Sequence, residues 1–192
     1  MNYLSRLEGV FDHCYAKDVV FRPFCRSDGF PLFIATQNPE FNRYALWSAP
    51  SEELAIFIQV DKLIRDQIMN RAIVLSICEK STGKWLGLAT IRDFLDGMQM
   101  GLYLHPDVWG RRVVFSAGGA ILETLVKTYS ELPIYIRVRP GNQRMERLVD
   151  YFYFEKQPQQ NIETHETEGQ VMSDIYRLDK KNREKFAHIS DY

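Results

Sequence analysis

Cysteine is scarce in the 192-residue chain: Cys14, Cys25 and Cys78 stand far apart, and no Cys-x-x-Cys pair occurs. An odd number without that pair argues against a disulfide framework, a zinc knuckle or thiol redox exchange, so no metal site is expected. Charge of one sign is also missing, since 24 basic residues meet 25 acidic ones for a net charge of -1. A chain so balanced lacks the long-range field of a dedicated binder of nucleic acid or acidic membranes, and neither partner is expected. No segment approaches the roughly 18 consecutive apolar residues of a membrane span, and Met1 to Glu8 holds no secretory apolar core. A soluble, cytoplasmic protein is the expectation. Glycine and proline, 11 and 8 residues, are too few for a collagen-like or low-complexity chain. What remains is 45% hydrophobic residues at a length suited to one compact domain, whose function must reside in a pocket or a surface.

Hydrophobic periodicity divides the chain into elements. Leu4, Leu7, Phe11 and Cys14 share one helical face, predicting a short N-terminal helix. Val19 to Phe24 reads as a strand, and Ser27-Asp28 caps a helix expected to carry Phe30, Phe33 and Ile34 inward. The loop Asn38 to Pro50 holds Phe41, Tyr44 and Trp47, an aromatic load expected to pack over another part of the fold. Ser51-Glu52-Glu53 opens a helix to about residue 69 with a predicted stripe of Leu54, Phe57, Ile58, Ile64 and Ile68. Alternating apolar residues then predict three meandering strands, joined at Ser81 to Lys84 and at Asp96-Gly97 and ending near Pro106.

Val114, Ala117, Ile121 and Leu125 mark a further helix, and Ile134 to Val138 a strand. Pro140-Gly141-Asn142 turns into a short helix burying Met145, Leu148 and Phe152, with a strand near Phe154. The polar run Gln157 to Glu168 leads to a last strand, Val171 to Leu178, and a charged tail that reads as an exposed helix. This order predicts an α/β fold: a mixed, mostly antiparallel twisted sheet of about seven strands flanked by helices. The functional centre is expected at Leu102 to Phe115, where the meander feeds a helix whose N-terminal amides suit an anion.

The run Leu102-Tyr-Leu-His-Pro-Asp-Val-Trp-Gly-Arg-Arg-Val-Val resembles the signature of the GNAT superfamily of N-acetyltransferases, particularly its ribosomal-protein branch. That signature is an apolar strand, a proline, two variable residues and Gln/Arg-x-x-Gly-x-Gly/Ala opening a helix; it aligns without gaps from Pro106 to Val114. Asn142, Leu148 and Phe154 match a second family spacing. The resemblance implies acetyl-coenzyme A as co-substrate. Leu102, Tyr103 and Leu104 would then face the pantetheine arm, Trp109, Gly110, Arg111, Arg112, Val113 and Val114 would form the phosphate loop, and the Asn142 side chain would hydrogen-bond the arm. Asn142 also suits a plain helix cap. The chain departs from the pattern with Trp109 at the Gln/Arg position, Arg112 and Val114 at the two small-residue positions, Met145 at Ser/Ala, Tyr153 at glycine and Val149 where many members carry a tyrosine. A side chain at Arg112 either obstructs the cradle or grips the phosphate itself.

Acetyl transfer from a thioester to an amine calls for a base and for an acid or dipole at the sulfur. The candidate catalytic residues are Tyr151, two positions beyond the family tyrosine, and His105 beside the loop. Tyr153 is a further hydroxyl. Gln99 stands where relatives place a glutamate and is no base, while Asp93 and Asp96 fit turn chemistry. His165 among Glu163, Glu166 and Glu168 reads as a solvated hairpin, Lys180 to Lys185 as a solvated helix, and Cys78 as core. The expected organisation is a helical extension at 1–18, able to dock on its own domain or on a twin, a GNAT-like domain at 19–179 and a charged tail at 180–192. The expected function is direct acetyl transfer to a small-molecule or protein amine. The alternative is a catalytically silent module that keeps the fold for binding or assembly.

Overall fold

A computed structural model describes residues 4, 9–14, 16–47, 49–165 and 169–186. Seven strands, β1 (Val19–Pro23), β2 (Ile73–Glu79), β3 (Trp85–Phe94), β4 (Gly97–Leu104), β5 (Ile134–Val138), β6 (Glu155–His165) and β7 (Gly169–Leu178), form one sheet in the order β1-β2-β3-β4-β5-β7-β6. Every pair is antiparallel except β4–β5. The mixed, mostly antiparallel α/β sheet predicted above is the one observed.

Each face of the sheet carries its own core. On one side lie α4 (Val113–Thr128) and α5 (Gln143–Tyr151). Ala117, Ile121 and Leu125, four residues apart, line up along α4 beside Gly118 and Leu122 and are wholly buried on β4 and β5. Truncating Leu122 to alanine there would cost about 2–5 kcal/mol. Leu4, Phe11 and Cys14 join the same core, and the Thr124 hydroxyl donates to Cys14 Sγ at 3.4 Å. The N-terminal segment thus packs on its own domain; within it the described helix is one 3-10 turn, Val10–His13, and Leu7 lies outside the described residues.

The opposite face is covered by α1 (Gly29–Thr36), α2 (Pro39–Tyr44) and α3 (Glu53–Ile68). Four expectations change here. Pro39–Tyr44 is a helix rather than loop, because Pro39 supplies a pre-set φ at its first position and the Asn38 side chain accepts from the Glu40 amide at 2.9 Å. α1 buries Leu32 and Ala35 and exposes Phe30 (53%) and Ile34 (44%). α3 buries Ile56 and Val60 while Leu54, Ile58 and Ile68 face outward. Asp28 stands at the N-cap of α1 but its side chain makes no cap bond there: it is 2% exposed and accepts from Arg22 at 2.7 and 2.5 Å, from Ser76 Oγ at 2.7 Å and from the Cys25 amide at 3.0 Å. Burial alone would raise its pKa, yet these donors together hold the carboxyl below the ordinary carboxylate value.

At the far end, most of the polar run Gln157 to Glu168 is strand β6, the sheet edge, with a bulge between Lys156 and Gln160 that accommodates Pro158. The tail forms α6 (Lys180–Phe186), and it is not simply solvated. Arg183 is 5% exposed and donates to the carbonyls of Tyr129, Ser130 and Leu132, fastening α6 to the end of α4.

The feature that positions a site is the β4–β5 pair. The two strands pair only at Met98–Ile134 and Gln99–Tyr135. Beyond that point β4 continues to Leu104 and β5 to Val138 without pairing, and the sheet opens between them.

Candidate active site

A cavity of about 360 Å³ occupies the opening. Leu102, Tyr103 and Leu104 form one wall, Ile136 to Arg139 the other, and Gln99 the floor. The His105 amide donates to Leu86 O of β3 at 2.7 Å. With a strand period of two, Tyr103 and Gly101 also direct their backbone groups at β3, and Leu102 and Leu104 direct theirs into the opening. The Leu104 carbonyl is taken by the Trp109 indole N–H at 3.0 Å. That leaves the Leu102 amide and carbonyl and the Leu104 amide facing the cavity without a strand partner.

The cavity runs onto the N-terminus of α4. Gly110, at φ 77°, makes the left-handed bend that turns the chain into the helix. A Cβ there would meet nothing within 4 Å, so the conformation rather than crowding requires glycine. Arg112 occupies the N-cap at φ −71°, a conformation open to any residue, and its side chain caps nothing. The Phe115 and Ser116 amides both donate to Arg112 O, whereas Val113 and Val114, as the first two helical residues, have no intrahelical acceptor. Arg111 and Arg112 are exposed beside these amides. Arg144, the second residue of α5, lies 4.2 Å from the Trp109 ring centre, and Arg147 follows one turn later on the same cavity wall. The end of the cavity at α4 thus brings together a helix dipole, amides and guanidinium groups, an arrangement suited to an anion.

On the opposite side of the sheet, α2 closes the cavity with Phe41, Tyr44 and Ala45. Phe41 and Trp47 pack on the Tyr103 ring, at centroid distances of 6.3 and 6.5 Å. Arg139 Nη1 donates to the carbonyls of Arg43 (2.8 Å) and Ala45 (3.3 Å), clasping α2 to the end of β5. Arg137 lies over the Phe94 ring at 5.5 Å. Next to it the Tyr135 hydroxyl donates to Asp96, and burial together with that bond pushes the phenol pKa upward.

Nine of the ten residues predicted to hold a coenzyme line this one cavity: Leu102, Tyr103 and Leu104 on β4, Trp109, Gly110, Arg111, Arg112 and Val114 at the bend, and Asn142 at the start of α5. Val113 is one residue away on α4, packed toward the core. Asn142 also caps α5, its Oδ1 accepting from the Met145 amide at 3.3 Å. The two predicted catalytic residues stand outside the lining. His105 Nδ1 accepts from the Asp107 amide at 3.2 Å, and its ring stands edge-on to Trp85. Tyr151 packs against Phe115 and Phe152 at 4.8 and 5.1 Å. Tyr153, two residues past the end of α5, is exposed and does not line the cavity. Gln99 lines the cavity, Asp96 is engaged by Tyr135 and Arg177, and Cys78 is buried with its thiol pKa raised by that burial.

Among the described residues no group of three or more His, Cys, Asp or Glu side chains is arranged for a metal; Glu166 and Glu168 lie outside them. No helix among them is long and apolar enough to cross a membrane. Sequence reasoning missed Arg137, Arg139, Arg144 and Arg147. The signal was there in two arginines alternating with Ile136 and Val138 on a buried strand, and in two more spaced i, i+3 on a helix.

A family model described as acetyltransferase (GNAT) domain matches residues 18–151. No curated protein matches at a significant level. Among solved structures the chain resembles a putative acetyltransferase from T. thermophilus, with TM-score 0.76 and 13% identity over 91% of this chain and 93% of that one. It also resembles a putative ribosomal-protein-serine acetyltransferase from Vibrio cholerae (TM-score 0.73, 12% identity, 86% and 96% covered). A third is the ribosomal L7/L12 alpha-N-protein acetyltransferase RimL in complex with coenzyme A (TM-score 0.69, 12% identity, 85% and 95% covered).

Proposed function

The chain belongs to the GNAT acetyltransferase family, and from that premise we propose that it transfers an acetyl group from acetyl-coenzyme A to a primary amine. The observation that carries the reading is the separation of β4 from β5, which opens directly onto the uncapped amides at the start of α4. The donor set fits the coenzyme. A diphosphate asks for converging amides and cations, and the Val113 and Val114 amides with Arg111 and Arg112 offer both. An extended amide-bearing arm asks for a strand edge, and Leu102 and Leu104 offer one. RimL, with a similar fold, holds coenzyme A.

When bound, acetyl-coenzyme A would supply the acetyl thioester: the amine nitrogen would form a bond to the acetyl carbon as the carbon–sulfur bond breaks, the sulfur leaving with the bond pair as the coenzyme thiolate and the proton lost by nitrogen passing to solvent, from which the thiolate is protonated. The chain's own contribution is positioning and polarisation, with no covalent enzyme intermediate. Leu102 and Leu104 hold the arm in register, Trp109 fixes the end of β4, and the α4 dipole with its arginines anchors the distal charge. The acceptor enters from the α2 side, past Phe41 and Tyr44.

A second reading is favoured by one observation: neither Tyr151 nor His105 lies in the cavity wall. On that reading the fold serves binding or assembly without chemistry. Isothermal titration with acetyl-coenzyme A separates the two. Saturable binding at micromolar ligand supports the transferase, and absence of heat at millimolar ligand overturns it in favour of the silent module.

A further inference from the structure

We infer that the acceptor is an amine that also carries an anionic group, a carboxylate or a phosphate, received by Arg137, Arg43 and Arg139 on the α2 side of the sheet. The inference rests on the acetyl-transfer reading for the reaction, and on charge placement for the specificity. A second, open groove of about 410 Å³ continues from the cavity, sharing Tyr44 and Arg139 with it and reaching Arg43 and the start of β7. Among the described residues, the two hollows together are lined by seven of the chain's fifteen arginines and none of its nine lysines. One acidic residue, Glu40, stands among them, and it pairs with Arg43 at 3.4 Å. In a chain of net charge -1 this is a local reversal of sign.

The arginines fall into two groups on opposite sides of the sheet. Those at the ends of α4 and α5 serve the distal phosphates of the coenzyme. Arg137 cannot join them: Ile136 and Val138 pack into the α4 core, so the intervening side chain faces the other way, where it meets Phe94. Arg139 and Arg43 lie further along that same side, with Arg139 holding α2 and the Arg43 guanidinium 5.2 Å from the Tyr44 ring centre. Guanidinium forks match carboxylate and phosphate oxygens, whereas the extra ammonium groups of a polyamine or a lysine-rich peptide meet like charge there. The same cations favour the neutral, nucleophilic form of the arriving amine, in a wall whose described residues offer no unpaired carboxylate to take its proton.

The test uses the full chain without acetyl-coenzyme A, so its outcome is independent of the coenzyme titration above. Fluorescence anisotropy compares a labelled peptide bearing a free N-terminus followed by two aspartates with the same peptide bearing two lysines. The expected result is at least tenfold tighter binding of the acidic peptide at low salt, a preference that shrinks as salt rises. Arg43→Gln, at a largely exposed side chain that the fold does not need, and Arg137→Lys against Arg137→Gln, are expected to show threefold or greater weakening for the glutamines and recovery for the lysine. Displacement by glucosamine 6-phosphate assigns the anion as phosphate, and displacement by glutamate assigns it as carboxylate. Equal or tighter binding of the lysine peptide, or no binding of either at millimolar protein, overturns the inference.

Discussion

The indole N–H of Trp109 donates to the carbonyl of Leu104 at 3.0 Å, closing the end of β4 against the bend that starts α4. The family signature has Gln or Arg at this position, and here the aromatic residue does two jobs: it satisfies a carbonyl that faces the opening, and its ring lies under Arg144. Trp109→Phe keeps the ring and removes the donor. The expected cost is about 1 kcal/mol of stability, the worth of one neutral hydrogen bond, with a weakened hold on acetyl-coenzyme A because the strand edge loses its fixed end. Urea unfolding and titration calorimetry on the same variant check both; unchanged affinity would mean that the bond serves the fold alone.

Arg112→Gly distinguishes an obstructing side chain from a gripping one. Glycine is tolerated at an N-cap and Arg112 makes no cap bond, so stability is expected to hold. Acetyl-coenzyme A affinity is expected to fall roughly tenfold, through loss of a charge-assisted contact to phosphate. Recovered affinity in this variant would instead identify the arginine as damage to the cradle.

Two glycines of the same region fail in different ways when a methyl group is added. Gly110→Ala meets open space and suffers only the left-handed conformation, about 1–2 kcal/mol. At Gly87, where β3 faces β4, a Cβ would sit 2.2 Å from the Tyr103 carbonyl oxygen, a backbone atom that cannot yield without breaking the strand pair bordering the cavity. Thermal melting is expected to show a folded Gly110→Ala with a midpoint lowered by about 2–8 °C, and a Gly87→Ala far less stable or not recovered as folded protein.

The strands, the central helix and the loop between them were legible because each carries a local rule: alternation in β2 to β4, a four-residue period in α4, and Pro106 and Gly110 at the bend. The inward faces of α1 and α3 were not. Both helices carry large apolar side chains around most of their circumference, so the period fixes no phase, and the buried positions of α1 include the small Ala35 and the polar Thr36. Strand β6 was expected near Phe154, and its continuation through the polar run was hidden for a different reason. It is the sheet edge, its polar residues satisfy no alternation, and Pro158 reads as a breaker until the bulge is seen. In the site, the contiguous strand-loop-helix segment was readable, whereas the arginines of β5 and α5 join it only through the fold.

Asp28 makes stability depend on pH at the acid end. Its folded-state pKa is depressed, so its contribution is fully present above the ordinary carboxylate pKa of about 4 and is lost as pH falls through the lower folded value. Asp28→Asn is expected to cost about 1–3 kcal/mol at pH 7, since it removes the charge paired with Arg22 and turns one of the two accepting oxygens into an NH2 donor facing donors. That difference should narrow as pH is lowered below about 4, because the unfolded wild-type chain takes up a proton there that the folded carboxyl accepts only below its own lower value. Denaturant unfolding at pH 7, 4 and 3 reads the gap directly; a gap that stays constant would assign the loss to packing and not to charge.

Arg183 and Lys180 both tie α6 to the end of α4, and comparing them separates a buried clasp from a surface pair. Lys180 Nζ lies 2.7 Å from Glu131, with both side chains about two-thirds exposed, a geometry in which entropy and screening offset the attraction. Arg183 instead gives its guanidinium to three carbonyls at the end of α4, two of them at 2.8 and 2.7 Å, and burial lowers its pKa without discharging it. Arg183→Met removes a buried bond to the Tyr129 carbonyl and part-buried bonds to those of Ser130 and Leu132; loss of about 2–3 kcal/mol is expected, a fall in melting midpoint of about 4–12 °C. Lys180→Ala should leave the midpoint where it is. If the two variants melt alike, the helix is held by its apolar contacts and the arginine is incidental to it. If Arg183→Met alone melts early, the tail is an integral cap on α4, and deleting residues 180–192 should reproduce the loss.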